Sequence, residues 1–123
     1  MEEYFREIPS PCFVIEERRL RDNLAVIRRV MQETGVEIIP AFKGFSMWSV
    51  FPILRESVSG ASASSLNEAR LCFEEMKTKA HTYCPAFTPE DFDEILGCSS
   101  HIVFNSMAQF NTYIERVRNF PEK

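Results

Sequence analysis

The chemistry with most promise in this chain belongs to a lysine. Lys43 stands in Pro40-Ala41-Phe42-Lys43-Gly44-Phe45-Ser46, directly after the apolar run Val36–Phe42. If that run is a strand of a parallel sheet, Lys43 falls at its C-terminal end, where such sheets build their sites. Phe42, Phe45, Met47 and Trp48 around it would partly desolvate the amine. Desolvation lowers an amine's pKa and makes the neutral nucleophile of Schiff-base chemistry accessible. The same position equally suits a lysine that snorkels its charge to solvent. A second candidate is Asn105, just past another strand-like run, where it could meet a ligand or shape the turn into Ser106. Ser64 and Ser65 follow a run of small residues, and a helix cap by Ser65 with Glu68 explains them without catalysis.

Other reactive types form no constellation. Cys12, Cys72, Cys84 and Cys98 contain no C-x-x-C pair, and His81 and His101 are not spaced with them for zinc. No metal is expected, and buried free thiols in a reducing cytoplasm are. Net charge is −4, and no run of Lys or Arg exceeds two. Nucleic acid and anionic membrane surfaces are therefore poor partners. Met1 to Ile8 has no apolar core for a signal peptide, and no apolar stretch approaches a membrane span.

The elements that must position these residues alternate in type. Cys12 to Ile15 reads as a strand, then Glu17 to Thr34 as a helix with Leu20, Leu24, Ile27 and Met31 on one face and Gly35 ending it. Strands are expected at Val36–Phe42, Ser59–Ser64, Ala80–Cys84 and His101–Phe104, adjacent and parallel in that order with right-handed crossovers. Between them fall helices at about Ser46–Ser57, where Pro52 either kinks the helix or marks a late start, and at Leu66 to about Lys77, with Leu66, Ala69, Phe73 and Met76 inward. Thr88 and Pro89 open a helix ending at Gly97. Ser106 caps a last helix carrying Phe110, Tyr113, Ile114 and Val117. Ser65–Glu68, Thr88–Asp91 and Ser106–Gln109 all have capping-box spacing. Such alternation means α/β architecture with a parallel sheet, and a length of 123 residues gives an open α/β domain or half of a larger barrel. His81 and His101, at strand starts, read as structural, and Trp48 with the Phe-rich segment reads as core.

The stretch Pro40 to Pro52, PAFKGFSMWSVFP, resembles the cofactor-lysine segment of the carboxynorspermidine (carboxyspermidine) decarboxylases, fold type III pyridoxal-phosphate enzymes of the alanine-racemase-like group. PSPCFVIEERRLRDNL from Pro9 to Leu24 is similar to that family's lead-in strand and first helix. GASASSLNEARL from Gly60 to Leu71, YCPAFTPEDFDEIL from Tyr83 to Leu96 and HIVFNSMAQF from His101 to Phe110 continue the likeness in order. It covers nearly the whole chain.

The resemblance implies a partial (β/α)8 TIM-type barrel, with residues 1–35 as lead-in strand and first helix and 36–123 as the first four βα units of the barrel. The second half barrel and a C-terminal β domain would be absent. Lys43 would bind pyridoxal 5'-phosphate covalently, and Ser64 and Asn105 would lie beside the cofactor, with Ala61, Ser62 and Ala63 leaving it room. The implied reaction is decarboxylation of carboxynorspermidine or carboxyspermidine to norspermidine or spermidine, by a cytoplasmic homodimer in its full-length form. The family's phosphate-binding loop, acidic partner of the ring nitrogen and catalytic cysteine have no counterpart in residues 1–123. The chain is therefore expected to be a truncated form, inactive alone, that stops within a connection at Phe120-Pro121-Glu122-Lys123. Another basic amino-acid decarboxylase of the same fold, a non-catalytic pyridoxal-phosphate-binding relative, or an interaction module are the alternatives.

Overall fold

Helix α1 (Glu17–Thr34) forms where apolar residues recur on one face of a charged segment, as its sequence predicts. Leu24 is buried, and Leu20 and Ile27 pack against the same core. Gly35 ends the helix with φ of 72°, its N–H bonded to the Met31 carbonyl at 2.9 Å. Nothing crowds a side chain there, so only the left-handed backbone calls for glycine. The computed structural model describes residues 6–121. Most of the Met1–Ile8 reading, and Glu122-Lys123 at the chain's end, lie outside the described residues.

Three short parallel strands make the sheet: β1 (Ser62–Ala63), β2 (Ala80–Tyr83) and β3 (Ser99–Val103), in that order. Ala41 joins beside β1 through a single parallel bridge to Ser62. Order and direction are those expected, but the strand Val36–Phe42 shrinks to that bridge. Its bonds are Ser62 N–H to the Pro40 carbonyl, 2.8 Å, and Phe42 N–H to the Ser62 carbonyl, 3.1 Å. The next rung toward the N-terminus would need an N–H from residue 40, which is proline and has none. Cys12–Ile15 is not a strand, since no described strand pairs with it, and Phe13 is 99% exposed.

Between Ala41 and β1, a 3-10 turn (Trp48–Val50) leads into the short helix α2 (Phe51–Leu54). Pro52 sits in the first turn of α2, so it marks a late start, not a kink. Helix α3 (Leu66–Glu74) follows β1, α4 (Phe92–Cys98) follows β2, and α5 (Met107–Arg118) follows β3. On α3 the buried stripe is Ala69 and Cys72, continued by Met76 beyond its end. Phe73, expected inward, is 50% exposed because that stripe points the other way.

Thr88 does not cap α4. The helix starts after Asp91 without a side-chain cap and runs through Gly97 to Cys98. Residues of α5 hold the preceding loop in another shape: Tyr113 Oη donates to the Phe87 carbonyl at 2.7 Å, and Arg116 Nη1 donates to that of Pro89 at 2.9 Å.

Helices cover one face of the sheet. Ala61, Ala63 and Ala80 are fully buried there with Phe42, Phe51, Leu54, Ala69 and Cys72. A second cluster, Cys84, Phe87, Phe92, Ile95, Leu96 and Tyr113, fills the space under α4 and α5. Between β2 and β3 the buried hydroxyls of Thr82 and Ser99 hydrogen-bond each other at 2.7 Å. Among the described residues, no buried side-chain polar atom lacks a partner.

Candidate active site

The other sheet face carries no helix, and strand register orders what stands on it. Ala41 pairs with Ser62, Ser62 with His81, and His81 with His101, giving one row across the sheet. Side chains repeat on a face every second residue. Counting two residues on from that row along the strands gives Tyr83 and Val103, which β2 and β3 pair directly. Of the three residues expected at a site, Ser64 directly follows β1, and Lys43 lies in the turn that begins at Ala41. The third, Asn105, is two residues past Val103.

Lys43 follows the last rung of its segment. Phe42 before it is 2% exposed and stacks on Phe51 with centroids 5.0 Å apart, tying the segment to the helix side. Lys43 lies within a turn, because the Ala41 carbonyl accepts the N–H groups of Gly44, at 2.9 Å, and Phe45, at 3.1 Å. Lys43 itself is exposed. Its expected aromatic enclosure does not form: Phe42 and Phe45 turn into the core, and Trp48 is 62% exposed, so Trp48 is not core either. Among the described residues the Lys43 amine has no hydrogen bond or ion pair.

Ser64 and Asn105 are fixed by one repeated device. Ser65 caps α3, its Oγ accepting from Glu68 N–H at 3.2 Å, while the Glu68 carboxylate accepts the Ser64 N–H at 2.6 Å. Ser106 caps α5, accepting from Gln109 N–H at 3.1 Å, while Gln109 Oε1 accepts the Asn105 N–H at 2.7 Å. In each case the acid or amide of the first helical turn reaches one residue further back than the capping-box pattern has it. It pins the residue just before the cap, past the end of the strand. Of the small-residue run only Ser62 faces the open side, since Ala61 and Ala63 are buried beneath helices.

Tyr83, not singled out from the sequence, also stands at this edge. It is partly exposed on the open face, and its Oη donates to Asn105 Oδ1 at 2.8 Å. A signal was present in its position at the last residue of an apolar strand, in the same alternation as His81. The histidines themselves lie nearer the strand starts, with ring centroids 3.9 Å apart and His101 Nδ1 3.1 Å from Ser100 Oγ. They line a cavity of about 430 Å³ with Glu37 and Lys79, at the opposite end from Lys43. Among the described residues no group of three or more His, Cys, Asp or Glu could hold a metal ion. Cys72 and Cys84 are buried as expected, Cys98 is half-buried, and Cys12 is exposed because the segment around it lies against no sheet. No described helix is long and apolar enough to cross a membrane.

Parallel strands each followed by a helix, with a lysine and polar side chains near their C-terminal ends, define a piece of an α/β fold. Its relatives are specific. The chain is 46% identical over 112 residues to a carboxyaminopropylagmatine decarboxylase of Synechocystis, a match covering 91% of this chain and 29% of that protein. A carboxynorspermidine/carboxyspermidine decarboxylase of Campylobacter jejuni is 36% identical, over 89% of this chain and 29% of its own length. Among solved structures, carboxynorspermidine decarboxylase of Campylobacter jejuni in complex with norspermidine superposes with a TM-score of 0.87 at 36% identity, covering 90% of this chain and 30% of that one. No family model matches. The chain is a relative of the carboxynorspermidine and carboxyspermidine decarboxylases, and it spans about three tenths of the length of the curated relatives it matches.

Proposed function

We propose that this chain carries the lysine end of the active site of a pyridoxal-phosphate decarboxylase of carboxylated triamines. The protein would act on carboxynorspermidine or carboxyspermidine and release norspermidine or spermidine, in polyamine biosynthesis in the cytoplasm. The observation that carries this reading is the position of Lys43, free at the C-terminal end of its strand segment, within a match that runs along nine tenths of the chain. Residues 36–123 are then the first part of a (β/α) barrel, with 1–35 leading into it. In its full-length form the enzyme would be a homodimer.

The donor set fits one end of the cofactor. An amine at Lys43, a hydroxyl at Ser64 and an amide at Asn105 stand at one sheet edge, and the first is what covalent capture of an aldehyde requires. At this edge the described residues offer no glycine-rich run of N–H groups for a phosphate, so the phosphate end would need residues outside this chain. When bound, the cofactor supplies the electron sink that makes loss of CO2 from an amino acid accessible. The chain's own part is to hold and to orient. Lys43 would hold the cofactor covalently, and Ser64 and Asn105 would contact it, their backbones pinned by Glu68 and Gln109.

CO2 release from carboxynorspermidine and carboxyspermidine tests the reading, with the cofactor's absorbance followed in parallel. In the full-length protein, Lys43→Ala is expected to lose both the absorbance of the lysine-bound cofactor and the activity. An unchanged cofactor spectrum in that variant would assign the attachment to another lysine and overturn the reading. The 46% identity to a carboxyaminopropylagmatine decarboxylase favours a second substrate, one that ends in a guanidinium in place of an amine. The same assay with carboxyaminopropylagmatine decides between them by the ratio of kcat/KM values.

A further inference from the structure

Asn105, Tyr83, Gln109 and the Pro85 carbonyl form a closed hydrogen-bond group at the C-terminal edge of the sheet. Side-chain amides can be placed either way round, so their polarity must be argued from partners that have no choice. Two such partners are present. The Asn105 backbone N–H can only donate, and it donates to the Gln109 side chain at 2.7 Å, so that atom is Oε1. The Pro85 carbonyl can only accept, and it lies 3.4 Å from both Gln109 Nε2 and Asn105 Nδ2. The amide of Asn105 must therefore turn its nitrogen toward Pro85 and its oxygen toward Tyr83. Tyr83 Oη has to donate, at 2.8 Å.

One consequence concerns Asn105. Its acceptor oxygen is committed to Tyr83, and one Nδ2 hydrogen is directed at the shared Pro85 carbonyl. Its second Nδ2 hydrogen has no partner among the described residues, on an exposed side chain at the edge where Lys43 and Ser64 stand. The group thus presents a free amide N–H donor at this edge.

We propose that Tyr83 and Gln109 are positioning residues that hold Asn105 as a hydrogen-bond donor to an anionic oxygen of the bound ligand. That oxygen belongs either to the cofactor or to the substrate carboxylate. The inference rests on the reading of the Lys43 edge as the active site, and it adds which atom acts there and what keeps it in place. Both Tyr83 and Gln109 act only through Asn105.

Four variants test it in the cofactor-loaded full-length protein, read by the cofactor dissociation constant, the KM and kcat for the carboxylated triamine, and the melting temperature. Tyr83→Phe keeps the ring and removes the donor, and is expected to weaken affinity for one of the two ligands roughly three- to tenfold, the worth of one hydrogen bond. Asn105→Asp still accepts from Tyr83 but offers no N–H and adds a negative charge. It is expected to melt near the native temperature while losing at least about tenfold in the same affinity, since like charges now face each other. Loss in the cofactor constant assigns the oxygen to the cofactor, and loss in KM with kcat kept assigns it to the substrate. In an Asn105→Ala background, Tyr83→Phe should add nothing. Additive losses, or an Asn105→Asp protein that binds both ligands as tightly as the native one, would overturn the proposal. Failure of the wider reading shows elsewhere: a Lys43→Ala protein that keeps its cofactor spectrum removes the site, whatever the Tyr83 variants do.

Discussion

Burial separates the four thiols by reactivity. Cys72 is fully buried between α3 and the sheet, and desolvation pushes its thiol up to about 11 from an ordinary 9.0. Desolvation also raises Cys84 and Cys98, the latter with help from the negative charge of Glu94. Cys12 is exposed. A thiolate-directed reagent in mild excess should therefore modify Cys12 first and Cys72 last, as peptide mapping by mass spectrometry would show. A raised acid pKa also has a signed effect on stability. Once unfolded, Cys72 loses its proton near 9, whereas in the folded chain it keeps it to about 11. Between those values the unfolded chain binds fewer protons, so this residue's contribution to stability is full below 9 and falls as pH rises. Urea midpoints measured at about pH 8 and about pH 10 should differ less for Cys72→Ala than for the native chain. Equal differences would refute the effect.

At the level of elements, the three capping motifs look alike in sequence and only two are used. Ser65→Ala and Ser106→Ala should each cost about 1 kcal/mol, since each Oγ satisfies an N–H of the helix's first turn. Thr88→Ala should stay within about 0.5 kcal/mol, because Thr88 caps nothing. Denaturant midpoints of the three variants measure the contrast directly. Thr88 shows where sequence ceases to be legible: its spacing to Asp91 is right, but bonds from Tyr113 and Arg116, more than twenty residues away, bend the loop instead. Local patterns served better where local physics decides. Leu20, Leu24 and Ile27 located α1, Gly35 its end, and the βα alternation the order of the sheet. The places of Lys43, Ser64 and Asn105 at or just past the C-terminal ends of strand segments were readable. Tyr83 was not, because its importance lies in a hydrogen bond to a residue 22 positions on. The exposure of Lys43 was misjudged for a related reason. Phe42 and Phe45 pack into a core whose depth the local pattern does not reveal.

For the whole molecule, the same open face that presents the site is a cost to the chain by itself. β3 is an edge strand, and the segment at Ala41 forms the other edge through a single bridge, so backbone groups at both sides of the sheet lack a neighbour strand. Beside them Val103 is 47% exposed, and Tyr83, Met47 and Met107 are also exposed, all near the C-terminal edge. An unpaired edge next to apolar side chains is a template for another copy. Net stability of a domain this size is only about 5–15 kcal/mol, which leaves little to oppose that pairing. The 123-residue chain expressed alone is therefore expected to self-associate, and to release no CO2 from carboxynorspermidine above background, since the described residues hold no phosphate cradle. A lysine on the exposed strand, Val103→Lys, places charge at the edge and should shift the population toward monomer. Light scattering of both proteins over a concentration series measures this. A compact native monomer with a single cooperative melt would show that the open face is tolerated, and equal association of Val103→Lys would show that the β3 edge is not where copies meet.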